Sequence, residues 1–328
     1  MNDYIAIAGG LLLLIAGGEF LIRGAATTAA RLGMSPLLIG LTLIGFGTSA
    51  PELVTSIEAS LLGAPGIAIG NIVGSNIANI LLILAVAALI APIAVGRQAL
   101  ARDAMIVLVC SVIFVIVGYA FDFGRIVGAA LVSALCVYLY YAYRQETAGA
   151  AVGHTAAFEK REAHDELFDQ QIDRVMEHNT AVWKPLLLAL VGLGIVVLGG
   201  KILVEGAVGF ARVAGVSETV IGLTIIAVGT SLPELVTSVV AALRGHSDVA
   251  LGSILGSNIY NILGVGGLTA LISPTVIPPE IIAFDSIVML AVAVVLVVFA
   301  VTGYRIARTE GAVLLAGYGV YIYAIWPV

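Results

Sequence analysis

Hydrophobic positions along this chain come in long unbroken blocks. They follow neither the narrow stripe of a surface helix nor the alternation of a half-buried strand. Runs without any charged residue cover 104–121, 126–143, 249–279, 286–304 and 311–328. A helix that crosses the hydrocarbon layer needs about 20 mainly apolar residues. Ten hydrophobic segments can be drawn, at roughly 4–22, 35–62, 67–91, 103–121, 124–143, 184–209, 217–243, 248–272, 281–302 and 306–326. Backbone groups in lipid have to be satisfied within a segment, and barrel strands would read as short alternating runs. The expected fold class is an all-α polytopic membrane protein with ten transmembrane helices.

Composition agrees: 60% of residues are hydrophobic and only 11% are charged, against about 25% charged in soluble domains. The start, MNDYIAIAGGLLLLIAGGEF, has no basic leader region or small-residue cleavage site and reads as a retained helix. Cys110 and Cys136 sit in apolar runs and are expected to be buried small hydrophobes, with no disulfide or metal. No basic stripe with interleaved aromatics points to nucleic acid. Much of the acidity behind the net charge of −6 lies in the long polar stretch 144–183, which reads as a linker.

The positive-inside rule orients the chain. With 144–183 in the cytoplasm and the N-terminus outside, twelve Lys and Arg fall on the inner side. Only Arg125, Lys201 and Arg212 fall on the outer side. A cell (inner) membrane location follows, and a monomer is expected.

A repeat organises the chain. Ile39–Ser56 and Ile221–Ser238 share 14 of 18 residues at an offset of 182, and Ala68–Leu81 and Ala250–Leu263 share ten of 14 at the same offset. Each half, 1–143 and 184–328, has five segments. That odd number inserts the second half upside down relative to the first. Inverted repeats with a ligand site on interrupted helices at the midplane are a plan of secondary transporters. Gly9, Gly10, Gly17 and Gly18, matched in part by Gly192, Gly194, Gly199 and Gly200, are expected to give segments 1 and 6 smooth faces.

Chemistry concentrates in the two phrases GTSAPE and GTSLPE. Between Arg31 and Arg97 the only charges are Glu52 and Glu58. Intramembrane acids are costly and mark function by default. Glu58 has Val240 at its repeat position and reads as an outer-end residue. Pro51 lacks an N–H, so the Gly47 carbonyl loses its helical partner, and Pro233 does the same to Gly229. Bare carbonyls are tolerated at membrane depth only inside protein or along a cavity. Thr48 and Ser49 share a helix face with Glu52, as Thr230 and Ser231 do with Glu234. A polar stripe runs through Asn71, Ser75 and Asn79 on the next segment, copied as Ser253, Ser257 and Asn261. Gly70 and Gly74, like Gly252 and Gly256, allow close helix approach.

All these donors are oxygens. Two carboxylates with neutral oxygens suit calcium or sodium, and magnesium less well because it holds its water firmly. A bound cation neutralises two acids that would otherwise face a large desolvation penalty or stay protonated. Lys201 and Glu205, four apart near an interface, read as a pair. Asp103, Asp248 and Asp285 follow short loops and read as helix-start residues.

GTSAPE with GSNIAN, and GTSLPE with GSNIYN, resemble the two α-repeats of the cation/calcium exchanger superfamily, and most closely its prokaryotic sodium/calcium exchangers. The resemblance covers essentially the whole chain. It implies that Glu52 and Glu234 bind calcium centrally and help bind sodium. It implies that the main-chain carbonyls of Thr48 and Thr230 complete the calcium site, and that Ser49, Ser231, Ser75 and Ser257 belong to flanking sodium sites. Asn79 and Asn261 would border the centre. The potassium-dependent members carry Asp at the position of Asn261, so Asn here argues against potassium co-transport. The proton/calcium branch usually carries a GN-x-x-E phrase, so GTS-x-PE favours sodium as the driving ion. The loop has no room for a large calcium-sensing domain.

The expected function is antiport of sodium for calcium, with Ca²⁺ and Na⁺ as transported ions and no cofactor. A calcium/proton antiporter of the same fold and a passive cation channel are the alternatives. No nucleophile–base pair, HExxH phrase or phosphate loop suggests an enzyme.

Overall fold

The computed structural model describes residues 3–32, 45–95, 99–147, 183–243, 247–302 and 305–326. Most of the predicted linker, 148–182, lies outside the described residues, as does 33–44 at the start of the second segment. Helical stretches pass through all ten predicted segments. Among the described residues seven helices are long and apolar enough to cross a membrane, or eight when one bent pair counts as a span.

The principal helices are α1 (Asp3–Arg31), α2 (Ala50–Leu61), α3 (Pro65–Ala78), α4 (Ala99–Ala120), α5 (Arg125–Thr147), α6 (Trp183–Ala214), α7 (Leu232–Leu243), α8 (Ser247–Ile259), α9 (Ser286–Thr302) and α10 (Arg308–Ile325). Sequence signals explain several ends. Asp3 and Arg31 complement the dipole of α1, and α2 and α3 begin with Pro in the first turn. Gly63, at φ 71°, makes the tight turn between them, and Gly215, at φ 66°, follows α6. A two-residue ribbon closes one end of the bundle: β1 (Ile93–Ala94) pairs antiparallel with β2 (Arg305–Ile306).

Alpha-helical geometry widens to π-helix at related places. Asn79–Leu84 follows α3, and Tyr260–Gly266 follows α8. Asn79 and Asn261 are equivalent at the repeat offset, so both GSN-x-x-N phrases end in a π segment. Such bulges turn side chains out of the helical register and collect at functional sites.

The interior is built around α3, in which every residue from Gly66 to Ala78 is buried. Its glycines admit the approach to the seventh segment: a Cβ on Gly74 would lie 2.6 Å from the Leu223 carbonyl, and one on Gly70 3.0 Å from the Leu223 nitrogen. The peripheral helices α4, α5, α9 and α10 keep large apolar residues on the outside, such as Ile116, Ile126, Val137 and Val320. In a membrane protein that face meets lipid.

Helices α1 and α6 lie side by side and antiparallel. Gly10 faces Leu203, Gly17 faces Val196, and Gly24 faces Ala189. In return Gly192 faces Leu21, Gly199 faces Leu14, and Gly206 faces Ala6 and Ile7. Each set steps by seven residues, so the six glycines form one seam. A Cβ on Gly10 would come within 2.7 Å of Leu203, and one on Gly17 within 2.8 Å of the Val196 backbone. The expected glycine faces therefore divide by direction. The glycines of the seam bind α1 to α6, while Gly18 and Gly200 face Pro51 and Val54 of α2. Gly9 and Gly194 have nothing within 4 Å of an added Cβ.

Three smaller expectations also change. Cys110 is buried but Cys136 is exposed, because it falls on the outer face of α5. Asp103 lies inside α4 and Asp285 ends the π segment Ile281–Asp285. Neither is a helix-start residue as expected, and both are buried; Asp285 accepts a 2.9 Å hydrogen bond from the Tyr321 hydroxyl. Lys201 and Glu205 are both exposed and form no ion pair with each other.

The seam makes a stability prediction. Gly17→Val should destabilise the purified protein by about 1–3 kcal/mol through overpacking, whereas Gly9→Val should stay within about 0.5 kcal/mol of wild type. Thermal unfolding in detergent compares the two. Equal stability of both variants would contradict the packing described.

Candidate functional site

Glu234 stands in the first turn of α7, just past a break at Ser231. The stretch Glu218–Thr230 and α7 meet at 47° there. Pro233 explains the break, because a proline removes the donor that would continue the ladder. The first repeat behaves alike: a short turn Gly45–Gly47 gives way to α2 at Ala50, with Pro51 in the first turn and Glu52 following it. Each acid therefore sits at a helix N-terminus, where the unsatisfied N–H groups favour negative charge.

The two phrases meet. Ser231 Oγ of the second repeat donates to Glu52 Oε1 of the first at 3.1 Å. Ser257 Oγ, from α8, reaches Glu234 Oε1 at 3.5 Å. Glu52, Glu234, Thr48, Ser49, Thr230, Ser231, Ser75, Ser257, Asn79 and Asn261 are all buried.

Asn71 ties the arrangement together. Its Nδ2 donates to the Glu52 carbonyl at 3.1 Å and to Ser56 Oγ at 2.9 Å. Its Oδ1 accepts from Thr230 Oγ1 at 3.1 Å and lies 3.5 Å from Ser75 Oγ. One amide thus links α2, α3 and the second phrase. The Thr230 hydroxyl also lies 3.0 Å from the Ile226 carbonyl, the usual back-bond of threonine in a membrane helix. Ser75 Oγ lies 3.4 Å from the Ala227 carbonyl.

Deeper in the bundle, Asn79 Nδ2 donates to Asn258 Oδ1 at 3.0 Å, across the repeats. The repeat-related contact is not made: Asn76 Nδ2 donates to the Ile72 carbonyl at 2.7 Å instead. Asn261 Oδ1 and Asn79 Oδ1 are buried with no hydrogen-bond partner among the described residues.

A cavity of about 340 Å³ opens against Glu234. It is lined by Ile15, Gly18, Glu19 and Ile22 of α1, by Gly47, Thr48 and Pro51, by Pro233, Glu234 and Thr237, and by Ser253. Glu52 does not line it. Helix α1 also plugs both breaks: Ile22 packs over Gly47, and Leu11 over Gly229. The repeat equivalents of Ile22 and Leu11 are Val204 and Leu193 of α6, so the two halves are arranged asymmetrically about the site.

All ten residues expected at the site are buried: Ser231 and Ser257 reach the two acids, Thr230 and Ser75 reach Asn71, Asn79 reaches Asn258, and Thr48 borders the cavity. Two carboxylates, hydroxyls and carbonyls are donors of the kind that suit a small hard cation. Among the described residues no group of three or more His, Cys, Asp or Glu could hold a metal, which leaves neutral oxygens to complete any coordination. Stripe spacing alone does not show that Asn71 joins three elements, and Asn258 stands inside the quoted GSNIYN phrase. Glu19, four residues from Arg23 in an apolar helix, also lines the cavity.

The wider comparisons agree with the geometry. The chain matches the sodium/calcium exchanger protein family over residues 3–144 and 184–326. It is 33% identical to the sodium/calcium exchanger MaX1 of Methanosarcina acetivorans, with 99% of each chain covered. It is 34% identical to the putative antiporter CaxA of Alkalimonas amylolytica, with 98% of each covered. Among solved structures it resembles the sodium-calcium exchanger NCX_Mj soaked with Na⁺, at a TM-score of 0.62 and 31% identity over 98% of both chains. A repeat with 14 of 18 residues identical, a cross-repeat carboxylate contact and whole-length similarity converge on one conclusion: this chain is a multi-pass membrane transporter that belongs to the sodium/calcium exchanger protein family.

Proposed function

We propose that this chain exchanges Na⁺ for Ca²⁺, exporting Ca²⁺ as Na⁺ enters, by alternating access to one shared site. The observation that carries the reading is the Ser231–Glu52 hydrogen bond, which joins the two phrases across the repeats. Glu52 and Glu234 supply a charge near −2, and the Thr48 and Thr230 carbonyls complete the calcium site. The Thr230 hydroxyl is engaged with Asn71 and Ile226, which leaves the carbonyl as that residue's ligand. Ser49, Ser231, Ser75 and Ser257 bind sodium on either side, and Asn79 and Asn261 border the centre.

One Ca²⁺ or several Na⁺ neutralise the pair of acids, and the same oxygens cannot hold both sets. That mutual exclusion is what couples the fluxes. Ten spans form two inverted five-helix halves, 1–143 and 184–328, joined by a cytoplasmic segment 144–183, with the N-terminus outside the cell membrane. The protein works as a monomer. The glycine seam supports α1 and α6 moving as one body against the block that carries the site. Net inward charge movement would be favoured by about 2.3 kcal/mol per charge per 100 mV.

Sodium coupling is tested in everted vesicles loaded with Na⁺ and diluted into Na⁺-free buffer with ⁴⁵Ca²⁺ and an uncoupler. Uptake should persist. Uptake that the uncoupler abolishes would transfer the drive to protons, and downhill flux without counter-transport would make the protein a channel. In the same assay Glu234→Gln should elute as a folded protein yet exchange no calcium, and normal exchange would sink the site. Asn261→Asp should keep calcium exchange while changing its pH or potassium sensitivity, because a third acid joins the centre. Profiles identical to wild type at several pH values and K⁺ concentrations would contradict that placement.

A further inference from the structure

The two halves of the site share their phrases but not their support. In the first repeat, Asn71 of α3 donates from Nδ2 to the Glu52 carbonyl at 3.1 Å and to Ser56 Oγ at 2.9 Å. At the repeat offset α8 carries Ser253 in place of Asn71, while Glu234, Thr237 and Ser238 match Glu52, Thr55 and Ser56. Serine has no amide to span that gap, and the hydrogen bonds differ accordingly. The Glu234 carbonyl accepts from Thr237 Oγ1 of its own helix at 3.0 Å. Ser238 Oγ is buried with no hydrogen-bond partner among the described residues. In the first repeat the carbonyl goes to Asn71 instead, and Thr55 Oγ1 is the atom without a partner. One side chain thus decides whether the main chain of an acid is tied across helices or within its own.

The surroundings differ in the same sense. Asn71 Oδ1 accepts from Thr230 Oγ1 at 3.1 Å, so the amide holds both halves of the site. Neither Asn71 nor Glu52 borders the cavity. Ser253 and Thr48, the repeat equivalents of Asn71 and Thr230, both border it beside Glu234. A site that takes one divalent ion and then several monovalent ones has to rearrange its oxygens between the two. We propose that Asn71 is the positioning residue of this site and fixes the Glu52 half against α3. Ser253 leaves the Glu234 half room to shift, so Glu234 is the acid that moves between calcium and sodium occupancy. This rests on the exchange function proposed above.

Trading the residue at this position between the repeats separates the two roles. Asn71→Ser gives the first half what the second half has. Glu52 and Thr230 then lose their common anchor, and apparent affinity suffers most. Ser253→Asn gives the second half what the first half has. The added amide has the cavity border to occupy and offers a donor to Ser238 Oγ and to the Glu234 carbonyl. That ties down the moving acid, and turnover suffers most.

The test measures the maximal rate and the half-saturating Ca²⁺ of sodium-driven exchange in proteoliposomes. Asn71→Ser should raise half-saturating Ca²⁺ by about three- to tenfold and lower the maximal rate by less than that. Ser253→Asn should lower the maximal rate by about tenfold or more without raising half-saturating Ca²⁺. Damage to folding alone would push both variants the same way. The same split in both variants, or a Ser253→Asn protein that exchanges as fast as wild type, overturns the proposal. So does a Ser253→Asn protein that does not fold, because the amide then has no room there. If Asn71→Ser is not recovered from the membrane, the Ser253→Asn rate decides alone. Release of ⁴⁵Ca²⁺ from the purified protein into Na⁺-free buffer keeps this test apart from the exchange function. Ser253→Asn should slow that release and Asn71→Ser should speed it, whichever ion drives transport. Equal release from the two variants overturns the positioning role.

Discussion

A carboxylate buried among apolar helices has to be matched by oxygen, nitrogen or a cation, and Glu52 is matched from the opposite half of the chain. The Ser231 hydroxyl reaches its Oε1 at 3.1 Å, and Asn71 holds its main-chain carbonyl at 3.1 Å while accepting from Thr230. Much of the interior follows from that constraint. For the two phrases to touch, α3 must pass close to the approach of the seventh segment. Only glycine at positions 66, 70 and 74 leaves room for the backbone of Thr219–Ala227. Polar groups that would be unfavourable singly become a network whose members satisfy one another.

The breaks in the helices serve the same constraint. Proline at 51 and 233 stops the hydrogen-bond ladder and puts each acid in the first turn of a new helix. The π segments that begin at Asn79 and Tyr260 sit on the far side of the network. Around it, α1 and α6 form a separate pair, joined by glycines every seventh residue and touching the breaks through Ile22 and Leu11. Both plugs come from α1, and the cavity reaches Glu234 but not Glu52.

Much of the site was legible in the sequence, for a physical reason. A glutamate in an apolar run stands out because lipid tolerates so few charges, and the repeat printed the phrase twice. Serine, threonine and asparagine near such an acid follow from helical spacing. Contacts between helices were less legible, since one helix's pattern does not name its neighbour. The glycine spacing in α1 and α6 was visible, but not that the two helices use it on each other. Asn71 looked like one member of a stripe, although its amide faces three elements at once. Asp103 and Asp285 looked like helix-start residues because only their distance from a loop could be read, and burial depends on partners such as Tyr321 that are remote in sequence. The linker 148–182 lies outside the described residues.

The central claim is that both repeats build a single cation site shared by calcium and sodium. Equilibrium binding of ⁴⁵Ca²⁺ to the purified protein, titrated with Na⁺, tests it most directly. The account predicts one Ca²⁺ per chain, displaced competitively by Na⁺, with binding lost in Glu52→Gln and in Glu234→Gln alike. Two independent calcium sites, or single variants that each keep half of the bound calcium, would contradict it.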